Sequence, residues 1–327
     1  MSKRPKLIYR ELDYPNFNQA WIRPLVEQHF EMVAWQPMQS YSKDCLVLTY
    51  YTQDFDAAAW FRPLEANGHC VIVDHLFDSD TATPSRRIHD RKLQLRNPHW
   101  MWYRTALLAA DAGYNHYQPN RHYSHDFLCL MNKIRDHRDR VQNELSQCLN
   151  HARWSYVDRG IDIGDSNERQ TKVFWEYYMN PQWYDSTCWH LVVESWVRTD
   201  AWTANPSFPN YRTEISEKSY KPLAYFQPFV VLGSVDTLKF LKTQGFETFD
   251  NLWSEHYDTI ESDAARIDWV LDHVRDLVTV YNRHWPGWDR HTQDKLQHNH
   301  ARFFDLATVK RRFDTEIIGD IMEFIAQ

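Results

Sequence analysis

The stretch that reads most like chemistry is "TEISEKSYKPLAYFQPFVVLGS", from Thr213 to Ser234. A helix-sized segment opens there on an acid beside a base, Glu217 and Lys218. An apolar strand, Phe229–Leu232, follows and ends on Gly233-Ser234. Neighbours in a regular helix point about 100° apart around its axis. At a helix start such a pair can reach two parts of one ligand, Lys218 a diphosphate and Glu217 a ribose diol. A glycine after the strand lets backbone run close beneath that ligand. The competing reading is a plain charged helix start. It accounts for the glutamate, which suits the positive end of the dipole, but not for the lysine.

Two other strand ends carry polar groups. "FLCLMNKIRDHR" leaves its strand at Asn132 and continues into Lys133, Arg135 and Arg138. Arg135 and Arg138 are three apart and share a face of the first helical turn. Cations there oppose the dipole, and a bound phosphate would reconcile them. A solvated basic face paired with Asp136 and Asp139 is the alternative. "WHLVVES" ends on Glu194, an acid placed to accept hydrogen bonds from sugar or ribose hydroxyls. In the first third, Asp74 and His75 close the strand "CVIV" and are the candidates for a general base. Asp74 as a cap or turn residue is the competing reading.

Other signals are weaker. "FDSD" (Phe77–Asp80) could be a metal-binding DxD, but such a motif is frequent by chance and a Thr/Ser-rich stretch follows it. His298 and His300 are two apart and diverge on a helix; His122 and His125 lack a third ligand. There is no Walker A and no GxGxxG. With only eight glycines, a phosphate site must rely on side chains and helix termini.

These groups need elements to hold them. Cys45–Thr52, the helical "FDAAAWFRPLEANG" and the strand "HCVIVDHLF" set a β-α-β rhythm, which favours a parallel sheet. His99–Gly113 reads as a helix stopped by glycine. The polar, Pro/Asn-bearing "YNHYQPNRHYSHD" reads as a linker. The rhythm then restarts with strands at Phe127–Asn132, "WHLVVESW" and Phe229–Leu232, and with helices between them. The expected organisation is an α/β domain over 1–122, a second over 123–285, and a helical tail over 286–327 that packs back on the first. A cleft between the two halves would take the ligand at strand carboxyl ends.

Bulk properties narrow the class. The 327 residues carry a net charge of −7, which argues against broad nucleic-acid binding. Five scattered cysteines without a CxxC fit a reduced, cytoplasmic protein. No stretch suits a signal peptide or a membrane span. The 15 tryptophans are core material first and sugar or base platforms second.

The order "VVES … EISEK … PFVVLG" resembles the donor-binding region of α-1,3-fucosyltransferase-like glycosyltransferases. There an apolar strand ending Glu-Asn-Ser precedes a Tyr-Ile-Thr-Glu-Lys segment, a helix and a Pro-Val-Val-Leu-Gly strand. It also resembles uncharacterised glycosyltransferase-like proteins of phage genomes. The likeness covers roughly residues 127–270. Ser195 stands where Asn is usual, Ser216 replaces Thr, and the insert between the blocks is long. The resemblance implies a GT-B fold, two Rossmann-like domains with C-terminal helices. It implies a nucleotide-sugar donor held by the second domain, and inverting transfer with no metal or other cofactor. Lys218, with Arg135 or Arg138 beside it, would stabilise the leaving diphosphate, and Asn132, Glu194 and Glu217 would complete the donor site. The acceptor hydroxyl would belong to a glycan, a lipid-linked sugar or a modified base in phage-type DNA, in the host cytoplasm if the chain is phage-encoded. A catalytically inactive glycosyltransferase-like module for binding or assembly is the second expectation.

Overall fold

The computed structural model describes residues 4–9, 26–34, 36, 39–42, 45–50, 62–74, 86–89, 92–95, 99–163, 180–195, 197 and 215–326. The chain divides into two compact units. One comprises residues 1–111 with 306–327, the other residues 112–305.

In the first unit six strands form one sheet: β1 (Lys6–Tyr9), β2 (Glu31–Ala34), β3 (Leu46–Tyr50), β4 (Cys70–Asp74), β5 (Arg86–His89) and β6 (Lys92–Leu95). Their order is β2-β1-β3-β4-β6-β5. Every pairing is parallel except the β5–β6 hairpin. Helix α1 (Arg62–Ala66) supplies Leu64 to a core of Ile8, Cys45, Val47 and Val71. Helix α2 (Trp100–Asp111) buries Met101, Trp102, Tyr103, Ala106 and Leu107, because it is apolar on nearly every side.

The second unit is built on β7 (His125–Met131), β8 (Arg153–Tyr156), β9 (Thr187–Val193) and β10 (Phe229–Leu232), in the order β10-β9-β7-β8. All its pairings are parallel. Strand β9, "TCWHLVV", is buried at all seven positions, as a central parallel strand covered on both faces must be. Among the described residues its α-helices are α3 (Asp136–Glu144), α4 (Ser146–Leu149), α5 (Pro181–Asp185), α6 (Glu217–Ala224), α7 (Thr237–Thr243), α8 (Asp263–Val280) and α9 (Arg290–Phe303). In α8 the residues Arg266, Ile267, Val270, Leu271, Val274 and Leu277 make one buried stripe at helical spacing. The chain then returns to the first unit with α10 (Leu306–Arg312), a π-helical turn at Phe313–Ile318, and α11 (Gly319–Ala326). There Tyr103 donates to Glu316 (2.8 Å), and His29 lies 2.7 Å from Asp314.

Both units are therefore α/β with mainly parallel strands, as in Rossmann-like folds. Their bounds differ from the sequence expectation. Residues 112–122 belong to the second unit because Arg121 donates to the carbonyls of Tyr184, Tyr225 and Phe226, and Tyr117 to the Asp185 carboxylate. Helix α9 belongs there too. Lys295 reaches Asp250 and Thr248 O at 2.7 Å, and a His300 ring nitrogen donates to Ala224 O at 2.9 Å. Only residues 306–327 return to the first unit. Among the described residues no helix is long and apolar enough to cross a membrane.

Candidate functional site

The strand order locates the site. The chain runs from β7 outward to β8, then crosses back to the other side of β7 for β9 and β10. The direction of winding reverses between β7 and β9. At such a switch point the two following loops diverge and leave a crevice at the strand carboxyl ends. The residues leading out of β7 are Asn132 to Arg135, and those leaving β9 are Glu194 and Ser195. Helix α6 begins beside Glu194.

Glu194 has no exposed surface. Its carboxylate accepts from the backbone N–H of Ser195 (3.2 Å) and of Ser216 (3.1 Å), and from the hydroxyls of Ser219 (2.6 Å) and Ser216. All of these donors are its own chain. Glu194 therefore anchors the start of α6 to the end of β9, and it is not positioned to receive a sugar hydroxyl. Gly233 belongs to the same anchor. A methyl group there would stand 3.0 Å from Val231 Cγ1 and 3.3 Å from Glu194 Cγ. The glycine makes room for the glutamate side chain, where the sequence suggested room for a ligand.

Helix α6 starts at the anchor. Ser216 is its N-cap and accepts from Lys218 N at 3.3 Å. The Lys218 ammonium donates to Ser195 Oγ (2.9 Å) and to Glu217 Oε1 (2.6 Å). The adjacent pair that should diverge thus closes on itself. Burial alone would raise the Glu217 pKa; the Lys218 and Lys221 charges outweigh it and bring it down to about 2.

The residues after β7 divide into two sets. Arg138 is 2% exposed and points inward. It donates through Nη1 to Lys133 O and through Nη2 to Glu194 O, both at 3.0 Å, and its buried Nε has no hydrogen-bond partner. His137 also donates to Glu194 O, at 3.0 Å. Burial, reinforced by the Arg138 charge, lowers its pKa to about 3. Arg138 and His137 thus staple the two strand ends together. Arg135 does not share their face. It is the extended N-cap of α3, with Nη1 on Ile134 O at 3.0 Å. Asp136 and Asp139 supply the acidic first turn that the dipole favours. Asp139 accepts from Tyr156 (2.8 Å) and Arg159 (2.7 Å). Asn132 uses its carbonyl to hold Asp158 N at 3.0 Å. Lys133 is 61% exposed and lies 3.6 Å from Asp158.

The neighbouring helix start is already taken. Asp258 accepts from the N–H groups of Leu238 (2.8 Å) and Lys239 (2.9 Å) and so fills the first turn of α7. At the start of α6 the cation is Lys218, held on Ser195 Oγ. Sequence reasoning did not find Ser195, Ser216 or Ser219 as parts of the site. Serine just before a helical run is a cap signal for Ser216, but nothing local links it to a glutamate twenty-two positions earlier.

In the first unit Asp74 is the last residue of β4, in register with Tyr50 of β3 and Leu95 of β6. It therefore stands at the carboxyl edge of that sheet. His75 and the Phe77–Asp80 stretch lie outside the described residues. Among the described residues no three His, Cys, Asp or Glu side chains gather as a metal would need. His298 and His300 each donate to a backbone carbonyl, of Gly245 (2.8 Å) and Ala224 (2.9 Å).

A scan of the chain against protein-family models finds no match, and a search of curated proteins finds none either.

Proposed function

We propose that the protein is a glycosyltransferase, and that its second unit holds the diphosphate of a nucleotide-sugar at the carboxyl ends of β7 and β9. One observation carries the reading: a lysine in the first turn of a helix at the switch point of a parallel sheet, with its ammonium steadied by Ser195 at 2.9 Å. A fixed cation at that place suits a diphosphate. It also suits the chemistry. Negative charge grows on the departing diphosphate as the glycosidic bond breaks, and a charge held in place beforehand lowers that barrier without reorganising.

The sugar and the transfer come from the sequence resemblance, in which Glu217-Lys218 follows the strand Thr187–Val193 and precedes Phe229–Leu232. In this reading Lys218 is the cation, with Arg135 and Lys133 on the other wall. Glu194, Ser216, Ser219, Arg138 and His137 are positioning residues. A GT-B arrangement, a metal-independent inverting transfer, and Asp74 or His75 as the base for the acceptor hydroxyl complete the proposal. The acceptor is a hydroxyl of a glycan or of a modified DNA base.

The test is a panel of UDP-, GDP-, CMP- and dTDP-sugars, followed by thermal shift and by release of the free nucleotide. One donor should raise the unfolding midpoint, since it binds only the native state. Lys218→Ala should lower turnover of that donor about a hundredfold, the usual loss of about 3 kcal/mol for one preorganised contact, a larger effect than the fall in midpoint that follows from leaving the Glu217 carboxylate unpaired. Binding without turnover would make the protein a nucleotide-sugar binding module. A Lys218→Ala variant with normal turnover would remove the basis of the proposal.

A further inference from the structure

We propose that Glu217 is a built-in counter-anion, seated in the ligand-free protein where a diphosphate binds and displaced by it. The inference rests on the reading that Lys218 holds the diphosphate, and adds how that site is kept when empty and how it is emptied again.

The geometry points to a contact made for want of a better one. Residues in sequence along a helix do not face each other. Yet Glu217 and Lys218 meet at 2.6 Å, so a side chain has turned back across the helix start. Both are largely withdrawn from water, with side chains 12% and 19% exposed. The other contacts of the ammonium, Ser195 Oγ at 2.9 Å and Ser216 Oγ at 3.5 Å, are neutral hydroxyls. They hold Lys218 in place without satisfying its charge. Glu217 supplies that charge.

The surroundings favour an anion larger than one carboxylate. Arg138 lies buried behind the same strand ends with Nε unpaired. Arg135 is the N-cap residue of α3, which leaves the neighbouring strand β7. Glu194, the other acid at the anchor, is bound by four donors and does not move toward Lys218. A diphosphate brings more charge than Glu217 and can span more donors. The two cannot share one ammonium at close range, because like charges there repel. Glu217 has somewhere to turn: Lys221 is four residues on, one turn along the same face of α6. The pair of lysines thus gives Glu217 two seats. It sits on Lys218 when the site is empty and turns toward Lys221 when the site is full. After transfer the same competition speeds departure of the nucleoside diphosphate, because Glu217 reclaims Lys218.

The experiment is calorimetric titration with inorganic pyrophosphate, which carries the shared chemistry and no base or sugar. Four proteins are compared: the unaltered chain, Glu217→Gln, Glu217→Asp and Lys218→Ala. Removing the internal competitor should tighten pyrophosphate binding by about tenfold in Glu217→Gln, equivalent to roughly 1.4 kcal/mol. Glu217→Asp, too short to close the contact, should fall between. Lys218→Ala should weaken binding by at least about tenfold. If Lys218→Ala weakens binding but Glu217→Gln leaves it equal or weaker, Glu217 is a ligand contact or a bystander; the displacement idea is then wrong while the diphosphate reading stands. If Lys218→Ala binds as the unaltered chain does, or none of the four binds, both fall. Unfolding midpoints are read alongside. Should Glu217→Gln not fold, Glu217→Asp decides by the same sign.

Discussion

Glu194→Ala is expected to destabilise the second unit by about 4 kcal/mol, and Glu194→Gln by about half as much. The alanine variant leaves two backbone N–H groups and two hydroxyls without their acceptor, all but the Ser195 N–H on residues with no exposed surface. A buried donor stripped of its partner costs about 1–3 kcal/mol. The hydroxyls of Ser216 and Ser219 can turn elsewhere, so the sum falls short of four full penalties. Gln keeps one acceptor oxygen and the side-chain volume, and its NH₂ can donate to a rotated serine. Lys218 should lose its placement along with the anchor, so pyrophosphate binding should fall in both variants. Denaturant unfolding measures the first effect and calorimetry the second. A Glu194→Ala variant within about 1 kcal/mol of the unaltered protein would mean that the carboxylate is not a structural anchor, and would leave it open to ligand.

The second large effect is a loss of stability in mild acid. His137 and His190 are 2% and 3% exposed, and both have pKa values lowered to about 3. Burial is the main cause for each, with Arg138 adding to it for His137 and Lys221 for His190. The unfolded chain takes up a proton at each near pH 6.5, while the folded chain does not. The stability that comes from keeping both neutral is therefore complete above about 6.5 and is lost as pH falls from there toward 3. Each histidine contributes about 1.4 kcal/mol per pH unit inside that window. From pH 6.5 to 5 the pair costs about 4 kcal/mol. Glu217 acts in a lower window. Its pKa of about 2 in the fold, against 4.5 ordinarily, gives a contribution lost only as pH drops below 4.5. The measurement is the unfolding midpoint against pH for the unaltered protein and for His190→Phe, which should show a shallower fall between pH 6.5 and 5. A midpoint flat across that range would show that the two rings are protonated within the fold.

The strongly patterned parts of the fold were legible in the sequence. Strands β3, β4, β7, β9 and β10 are runs rich in Val, Ile, Leu and aromatics, and β9 and β10 are buried at every position, as strands covered on both faces are. The strands that escaped are short, and several carry charge: "EMVA" of β2, "RRIH" of β5, "KLQL" of β6 and "RWSY" of β8. β2, β5 and β8 are edges of their sheets. An edge strand has fewer neighbours to cover it, so its sequence need not be apolar, and charge there discourages stray pairing. At the site, residue types were readable and directions were not. Arg138 is separated from Arg135 by one helical spacing, yet it turns inward to the carbonyl of Glu194 at the end of β9. Glu194 reads as a free acid closing a strand until Ser216 and Ser219 arrive from across the insert. In each case the deciding partner is distant in sequence.

The most direct measurement is a crystal structure of the protein with a nucleoside diphosphate, each of UDP, GDP, CDP and dTDP being soaked in turn. The account predicts phosphate oxygens within about 3 Å of Lys218 Nζ, between the Asn132–Arg135 segment and Ser195, with the Glu217 carboxylate turned away from the ammonium. A nucleotide bound elsewhere, with the Glu217–Lys218 pair still closed at 2.6 Å, would contradict it.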